Sequence, residues 1–189
     1  MTEVKGKWAL VTGANRGIGY RIAKFMAGKG CNLILHSRSL EHTAAVLAEV
    51  RAMGVEAYDV AAELSDLSQV KKMIERGFGR VINTTSGIRN EPEQAGYSAS
   101  KAALDKVTSD LAGKLDGTDV CINLADPGWC RTDLGGPNAP NDPDSVIPGI
   151  VVGAFVDDKK SGRWLGAQDF AGLSLEEAIK KAADYPQLF

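Results

Sequence analysis

The eight residues Thr12-Gly13-Ala14-Asn15-Arg16-Gly17-Ile18-Gly19 constrain this chain more than any other stretch. They follow a short, largely apolar run over 7–12 that reads as a buried strand. A helical pattern comes next, with Ile18, Ile22, Phe25 and Met26 on one face. Three glycines between a strand and a helix permit a tight turn and let backbone N–H groups come up to a bound anion, because a Cβ would block either. The helix N-terminus then faces that anion, and a pyrophosphate is the ligand such a turn fits. A ligand-free glycine loop would look the same in isolation, so the rest of the chain has to separate the two.

Strand and helix alternate from there on. An apolar run over 31–35 is followed by an Ala-rich helix over about 41–53, with Val46, Leu47 and Val50 inward. Residues 55–64 and 80–85 read as strands, 98–114 as a long helix, and 120–125 as a strand that stops at Asp126-Pro127-Gly128. The stretch 135–144 holds three prolines and is a loop, expected over the active site. A helix to about residue 155, disturbed by Pro148, a last strand over 162–165 and an amphipathic helix over 174–183 begun by a capping box complete the pattern. This alternation predicts an α/β fold: a single Rossmann-type domain whose parallel, doubly wound sheet carries helices on both faces. With 189 residues there is room for one well-buried core and not for separate dinucleotide and substrate domains, so one domain over 1–189 is expected to hold both sites.

A formal net charge of -2 leaves no basic surplus for phosphate-backbone contacts, which argues against nucleic acid as a partner. Cys31, Cys121 and Cys130 show neither CxxC pairing nor metal-ligand spacing, and His36 and His42 lie in no metal or nucleophile motif, so no metal site is expected. The odd thiol count, a start without a charged-then-apolar signal pattern and the lack of a membrane-length apolar run make a cytoplasmic protein with no membrane partner the expectation.

Which dinucleotide fits can be argued from charge. An acidic residue closing the second strand would bond both ribose hydroxyls and repel a 2′-phosphate, whereas an arginine there attracts it. Here the strand ends in His36-Ser37-Arg38 with no carboxylate, and Arg16 in the glycine turn is a second cation within reach of the same phosphate. NADP(H) is therefore favoured over NAD(H). Further along, Tyr97-Ser98-Ala99-Ser100-Lys101 sets a phenol and an ammonium four residues apart, on one helix face and about 6 Å apart along its axis. Hydride transfer to a carbonyl leaves an alkoxide that needs a proton, and an ammonium beside a phenol favours the phenolate, which lowers the phenol pKa and makes the phenol a better donor of that proton.

The TGxxxGxG spacing on the first strand, followed by YxxxK, resembles the short-chain dehydrogenase/reductase family, of the carbonyl-reductase-like kind. The resemblance covers 7–165 apart from one gap. It implies that Ser86, at the end of Val81-Ile82-Asn83-Thr84-Thr85-Ser86, orients the substrate oxygen, that Tyr97 is the acid/base, and that Lys101 binds ribose and tunes Tyr97. It also implies that Asp126-Pro127-Gly128-Trp129 is the family's PG motif, that Thr132 contacts the carboxamide end of the cofactor, and that Glu63-Leu64 lies by the adenine, with Glu in place of the usual Asp. The expected cofactor site is then Gly13, Asn15, Arg16, Gly17, Ile18, Gly19, Ser37, Arg38, Glu63, Leu64, Tyr97, Lys101, Pro127, Gly128 and Thr132, with Ser86, Tyr97 and Lys101 catalytic. The implied activity is hydride transfer between a nicotinamide and a small carbonyl or secondary-alcohol substrate, by a homodimer or homotetramer.

One part of the family pattern is missing. The fourth strand with its NNAG motif, and the next helix carrying an asparagine of the catalytic tetrad, have no counterpart, which places a junction near 71–73 and a deficit of about fifty residues, a third of a typical domain. In the family's strand order the third and the serine strands would lie roughly 19 Å apart with the fourth in place, a long way for 65–78 to cross. A mobile segment left out of the sequence is the favoured explanation over a deletion or a degenerate paralogue. A catalytically impaired dinucleotide sensor or scaffold is the alternative function, and a structural interaction module a third.

Overall fold

The computed structural model describes residues 1–61, 77–89 and 91–188. Glu63, Leu64 and the junction near 71–73 lie outside the described residues. The chain forms two compact units, one of Glu3–Ser65 with Trp129–Ile147 and one of Met1–Thr2, Asp66–Gly128 and Pro148–Phe189. Each carries a three-stranded, wholly parallel sheet with helices packed on it, the α/β architecture expected of a Rossmann fold.

In the first unit the strands β1 (Trp8–Thr12), β2 (Asn32–Ser37) and β3 (Ala57–Ala61) lie in the order β1-β2-β3. Helix α1 (Gly17–Gly28) joins the first two and α2 (Ala44–Ala52) the next two. The period-two alternation of a strand sorts the side chains. Val11, Leu33, Leu35 and Ala57 share the buried face, and Ala23, Met26, Ala27, Val46 and Val50 are the buried residues of the two helices. Full burial of Leu33 and Leu35 contributes about 2 kcal/mol each to holding the sheet. Trp8, Leu10 and Tyr58 project from the other face and are 46%, 49% and 57% exposed, with Trp8 stacked on Tyr58 at 5.6 Å. Helix α2 starts later than the 41–53 pattern predicts, because a 3₁₀ turn over Leu40–His42 comes first, and Leu47 is half-buried.

In the second unit the order is β4-β5-β6, with β4 at Gly79–Thr84, β5 at Val120–Asp126 and β6 at Trp164–Gly166. The central β5 is buried from Val120 to Ala125, as a parallel strand covered on both faces should be. Helix α3 (Ala95–Lys114) contributes Ala112 to a cluster with Leu115, Val120 and Ile122. A second cluster joins Val152, Val156, Leu165 and Phe170 to Ala178 and Ala182 of the closing helix α4 (Leu175–Ala183). The expected capping box is present there: Ser174 accepts from Glu177 N and the Glu177 carboxylate from Ser174 N.

One expectation changes. The segment up to residue 155 is a 3₁₀ turn at Val152–Ala154 and not an α-helix. A Cβ on Gly149 would lie 2.4 Å from Ala167 O and one on Gly153 2.7 Å from Ile82 Cδ1, so the backbone itself is the packing surface here. A further feature was not anticipated: along α3 the buried residues are Thr108 and Ala112, while the apolar Ala102 and Val107 are exposed. Among the described strands no ladder links β1 to β4.

Candidate functional site

The residues expected to act divide between the two units. Gly13, Asn15, Arg16, Gly17, Ile18, Gly19, Ser37, Arg38 and Thr132 belong to the first, and Ser86, Tyr97, Lys101, Pro127 and Gly128 to the second.

The glycine turn leaves β1 at Thr12. Gly13 and Gly17 adopt φ of +62° and +56°, the left-handed region that other residues avoid. Gly19 is required for a different reason: a Cβ there would stand 2.3 Å from Gly13 O and 2.7 Å from Gly13 C. Ala14 N donates to His36 O at 3.1 Å, which pins the turn to the end of β2. At the start of α1 no side chain caps the first N–H groups and no acid sits in the first turn. Those N–H groups have no intrahelical partner, so the turn has the donors and the partial positive charge a phosphate needs. Asn15 and Ile18 are half-buried beside it.

At the end of β2, Ser37 is buried and its hydroxyl is spent locally, donating to Ser39 O at 2.5 Å and accepting from Ser39 N at 3.3 Å. Arg38 is exposed. The carboxylate on the neighbouring strand, Asp59, accepts from Thr43 Oγ1 at 3.0 Å, opposite Leu35 in the ladder rather than at the strand end. Arg16 pairs with Asp133 at 2.5 Å, and the Thr132 methyl lies 3.7 Å from where a Cβ on Gly17 would be.

In the second unit β4 delivers Thr84, Thr85 and Ser86 in succession. Thr85 is buried and its hydroxyl donates a short hydrogen bond to Asp105, so it is committed to holding the strand to α3. The Ser86 hydroxyl, half-buried, accepts only a 3.3 Å bond from Ile88 N. Lys101 donates from Nζ to Thr84 O at 2.8 Å, with the ammonium 5.6 Å from the centroid of the Tyr97 ring one helical turn earlier. Burial lowers the Lys101 pKa, while the negative charges of Asp105 and Asp126 act against that shift. Asp126 does more than end β5. Its two oxygens accept from Gly87 N at 2.8 Å and from Gly128 N at 2.9 Å, tying the loop after Ser86 to the Pro127-Gly128 turn, and Gln168 donates to Pro127 O at 2.8 Å.

Asp105 and Asp133 were not singled out from the sequence, and Asp126 was read only as part of the turn and motif that end its strand. Only Asp105 carried a positional hint, lying four residues beyond Lys101 on the same helix face. Among the described residues no His, Cys, Asp and Glu cluster is arranged to hold a metal ion, and no helix is long and apolar enough to cross a membrane.

The family model for short chain dehydrogenase matches residues 7–77 and 70–142. A short-chain type dehydrogenase/reductase of Picea abies is 27% identical over 196 aligned positions that take in 68% of this chain and 72% of the relative, so the relative holds residues with no counterpart here. A 3-oxoacyl-[acyl-carrier-protein] reductase of Synechocystis is 28% identical over 193 positions, covering 71% of this chain and 78% of that one. Among solved structures, a 3-oxoacyl (acyl-carrier-protein) reductase of Agrobacterium tumefaciens with NADP bound superposes with a TM-score of 0.66 at 24% identity, over 94% of this chain and 90% of that one. The chain belongs to the short-chain dehydrogenase/reductase family. It is an oxidoreductase of that family, built on the Rossmann fold.

Proposed function

We propose that this protein is an NADP(H)-dependent reductase of small carbonyl compounds, or in reverse a dehydrogenase of secondary alcohols, with Tyr97 as acid/base. One observation carries the reading: Lys101 and Tyr97 lie on one face of α3, and the Lys101 ammonium reaches the carbonyl of Thr84, two residues before Ser86, at the end of β4. When bound, the dinucleotide supplies the hydride. Gly13, Gly17 and Gly19 leave room for its pyrophosphate against the start of α1, with Asn15 and Ile18 beside it, and Arg16 with Arg38 serves the 2′-phosphate. Pro127, Gly128 and Thr132 serve the nicotinamide end, and Ser37, Glu63 and Leu64 the adenosine end. Ser86 donates its hydroxyl to the substrate oxygen, and the Tyr97 phenol hands a proton to the same oxygen as charge develops on it. The positive charge of Lys101 stabilises the phenolate left behind, and burial strengthens that interaction. A single domain holding both sites, in a cytoplasmic homodimer or homotetramer, fits the buried thiols and the exposed Ala102 and Val107 of α3.

The test is the rate of nicotinamide oxidation with NADPH and a panel of ketones and 3-oxoacyl thioesters. Tyr97→Phe should lower kcat by about a hundredfold or more and leave the dinucleotide Kd within about twofold, since it removes the proton donor and little contact area. Tight dinucleotide binding with no turnover over the whole panel would favour the second reading, a dinucleotide sensor, to which the two-part family match lends support.

A further inference from the structure

Two adjacent residues of the loop after β5 meet two adjacent residues of the glycine turn. Asp133 Oδ2 lies 2.5 Å from Arg16 Nη1, and the methyl of Thr132 packs towards Gly17. The loop is braced from within. Gly135 N donates to Thr132 Oγ1 at 3.1 Å and Gly136 N to Thr132 O at 2.8 Å, while Trp129 Nε1 donates to Gly135 O at 2.8 Å and Arg131 pairs with Asp142 at 3.0 Å. Asp133 is therefore presented by a turn with its own hydrogen bonds. Arg16 stands on extended backbone just ahead of α1, and the paired side chains are 62% and 71% exposed, so a dissolved anion can reach the guanidinium.

We propose that Asp133 is a specificity-determining residue for the dinucleotide, competing with the 2′-phosphate for the Arg16 guanidinium. The inference rests on the reading of Arg16 as a 2′-phosphate ligand. The pair in place uses Nη1 and Asp133 Oδ2, and a phosphate that takes Nη1 as part of the bidentate fork a guanidinium favours competes for that donor. A 2′-phosphorylated dinucleotide then displaces Asp133 from Nη1, whereas an unphosphorylated one leaves the pair intact. The phosphate carries the larger charge and wins, but its net gain is reduced by the pair it breaks. Occupancy of the phosphate site also frees the loop of one of its two contacts with the turn, so the loop senses which dinucleotide is bound. Because the pair is exposed, the expected effect is modest, no more than about fivefold in affinity.

The experiment titrates the full chain with NADPH and NADH by nicotinamide fluorescence, which needs no turnover. The variants are Asp133→Asn, Asp133→Ser, Arg16→Gln and the Arg16→Gln/Asp133→Asn double. Asp144→Asn controls for net charge, since Asp144 pairs with Arg21 and not with Arg16. Both Asp133 variants should tighten NADPH by about two- to fivefold and leave NADH unchanged, the Asp144 control should leave the ratio alone, and the gain should vanish in the Arg16→Gln background. An unchanged ratio in both Asp133 variants overturns the competition while leaving the phosphate reading in place. The same gain with Arg16 absent, or with Asp144→Asn, overturns it too, because charge alone is then acting. If Arg16→Gln does not change the NADPH to NADH ratio, the phosphate role of Arg16 falls and the proposal falls with it.

Discussion

Replacing Gly19 by alanine should destabilise the protein and loosen its grip on dinucleotide, even though helix propensity alone predicts the reverse. Gly19 is the third residue of α1, where Gly→Ala would ordinarily stabilise by about 1 kcal/mol. Its φ lies outside the left-handed region, so no backbone strain enters. What decides the sign is space: the new Cβ would stand 2.3 Å from Gly13 O, 2.7 Å from Gly13 C and 3.0 Å from Thr12 O, all backbone atoms. Reaching an ordinary contact of about 3.5 Å needs a shift of roughly 1 Å in the turn, an overpacking that costs about 1–3 kcal/mol before the propensity gain is subtracted. The same shift moves the N–H groups off the pyrophosphate, and a net loss of 1.4 kcal/mol there is about tenfold in affinity. Gly13→Ala is the matched control. It has open space around the new Cβ but φ of +62°, so it should cost about 1 kcal/mol of stability and leave the turn in place. Urea unfolding and NADPH titration of both variants decide the matter. If Gly19→Ala is as stable as the parent with an unchanged Kd, the contact distances do not govern the turn and the reasoning is wrong.

Asp126 joins two loops through Gly87 N and Gly128 N, so Asp126→Ala should cost about 1–2 kcal/mol, with Asp126→Asn recovering part of it because an amide oxygen can accept one of the two bonds. Equal urea midpoints for the parent and the alanine variant would remove this role. Tyr185 gives a pH dependence on the alkaline side. Burial and then its hydrogen bond to Asp169 push its pKa up to about 12. A raised value means the neutral phenol is the form the fold favours, so its contribution is complete below the unfolded value of about 10 and is lost as pH climbs through the folded one. Between pH ~10 and ~12 the stability of Tyr185→Phe should fall less steeply than that of the parent, and parallel curves would contradict the assignment.

The strands and most of the helices were legible because their signals are local. Trp8–Thr12 and Gly79–Thr84 lie within a residue of the runs that predict them, Ala57–Ala61 falls inside the 55–64 run, and the capping box before Leu175 is a four-residue pattern complete in itself. The glycine turn was legible for the same reason, since strand, turn and helix are contiguous. The segment before residue 155 was not. Its apolar residues suit a helix, but Gly149 and Gly153 let the backbone press on Ala167 and Ile82, partners that no local pattern reveals. The acids around the site follow the same rule. Asp133 meets Arg16 across 117 residues and Asp126 meets Gly87 across 39, and an aspartate next to a proline or a threonine reads in sequence as ordinary loop chemistry.

Each of the two sheets holds its own share of the residues expected to act. Among the described strands β1 is laddered on one side only, to β2, and β4 on one side only, to β5. An end strand is usually marked by a charge or a proline. WALVT has neither, and in GRVINT the one charge, Arg80, is turned to Asp119 and to the carbonyl of Gly79, so both strands have the composition of strands with two neighbours. The functional residues hang from the laddered sides. The glycine turn is pinned through Ala14 to His36 at the end of β2, and the β4 ladder to β5 runs the full length from Gly79 to Thr84, ending where Lys101 takes the Thr84 carbonyl and Asp126 takes Gly87 N. The glycine turn and the surroundings of Lys101 are thus each held by hydrogen bonds within their own unit.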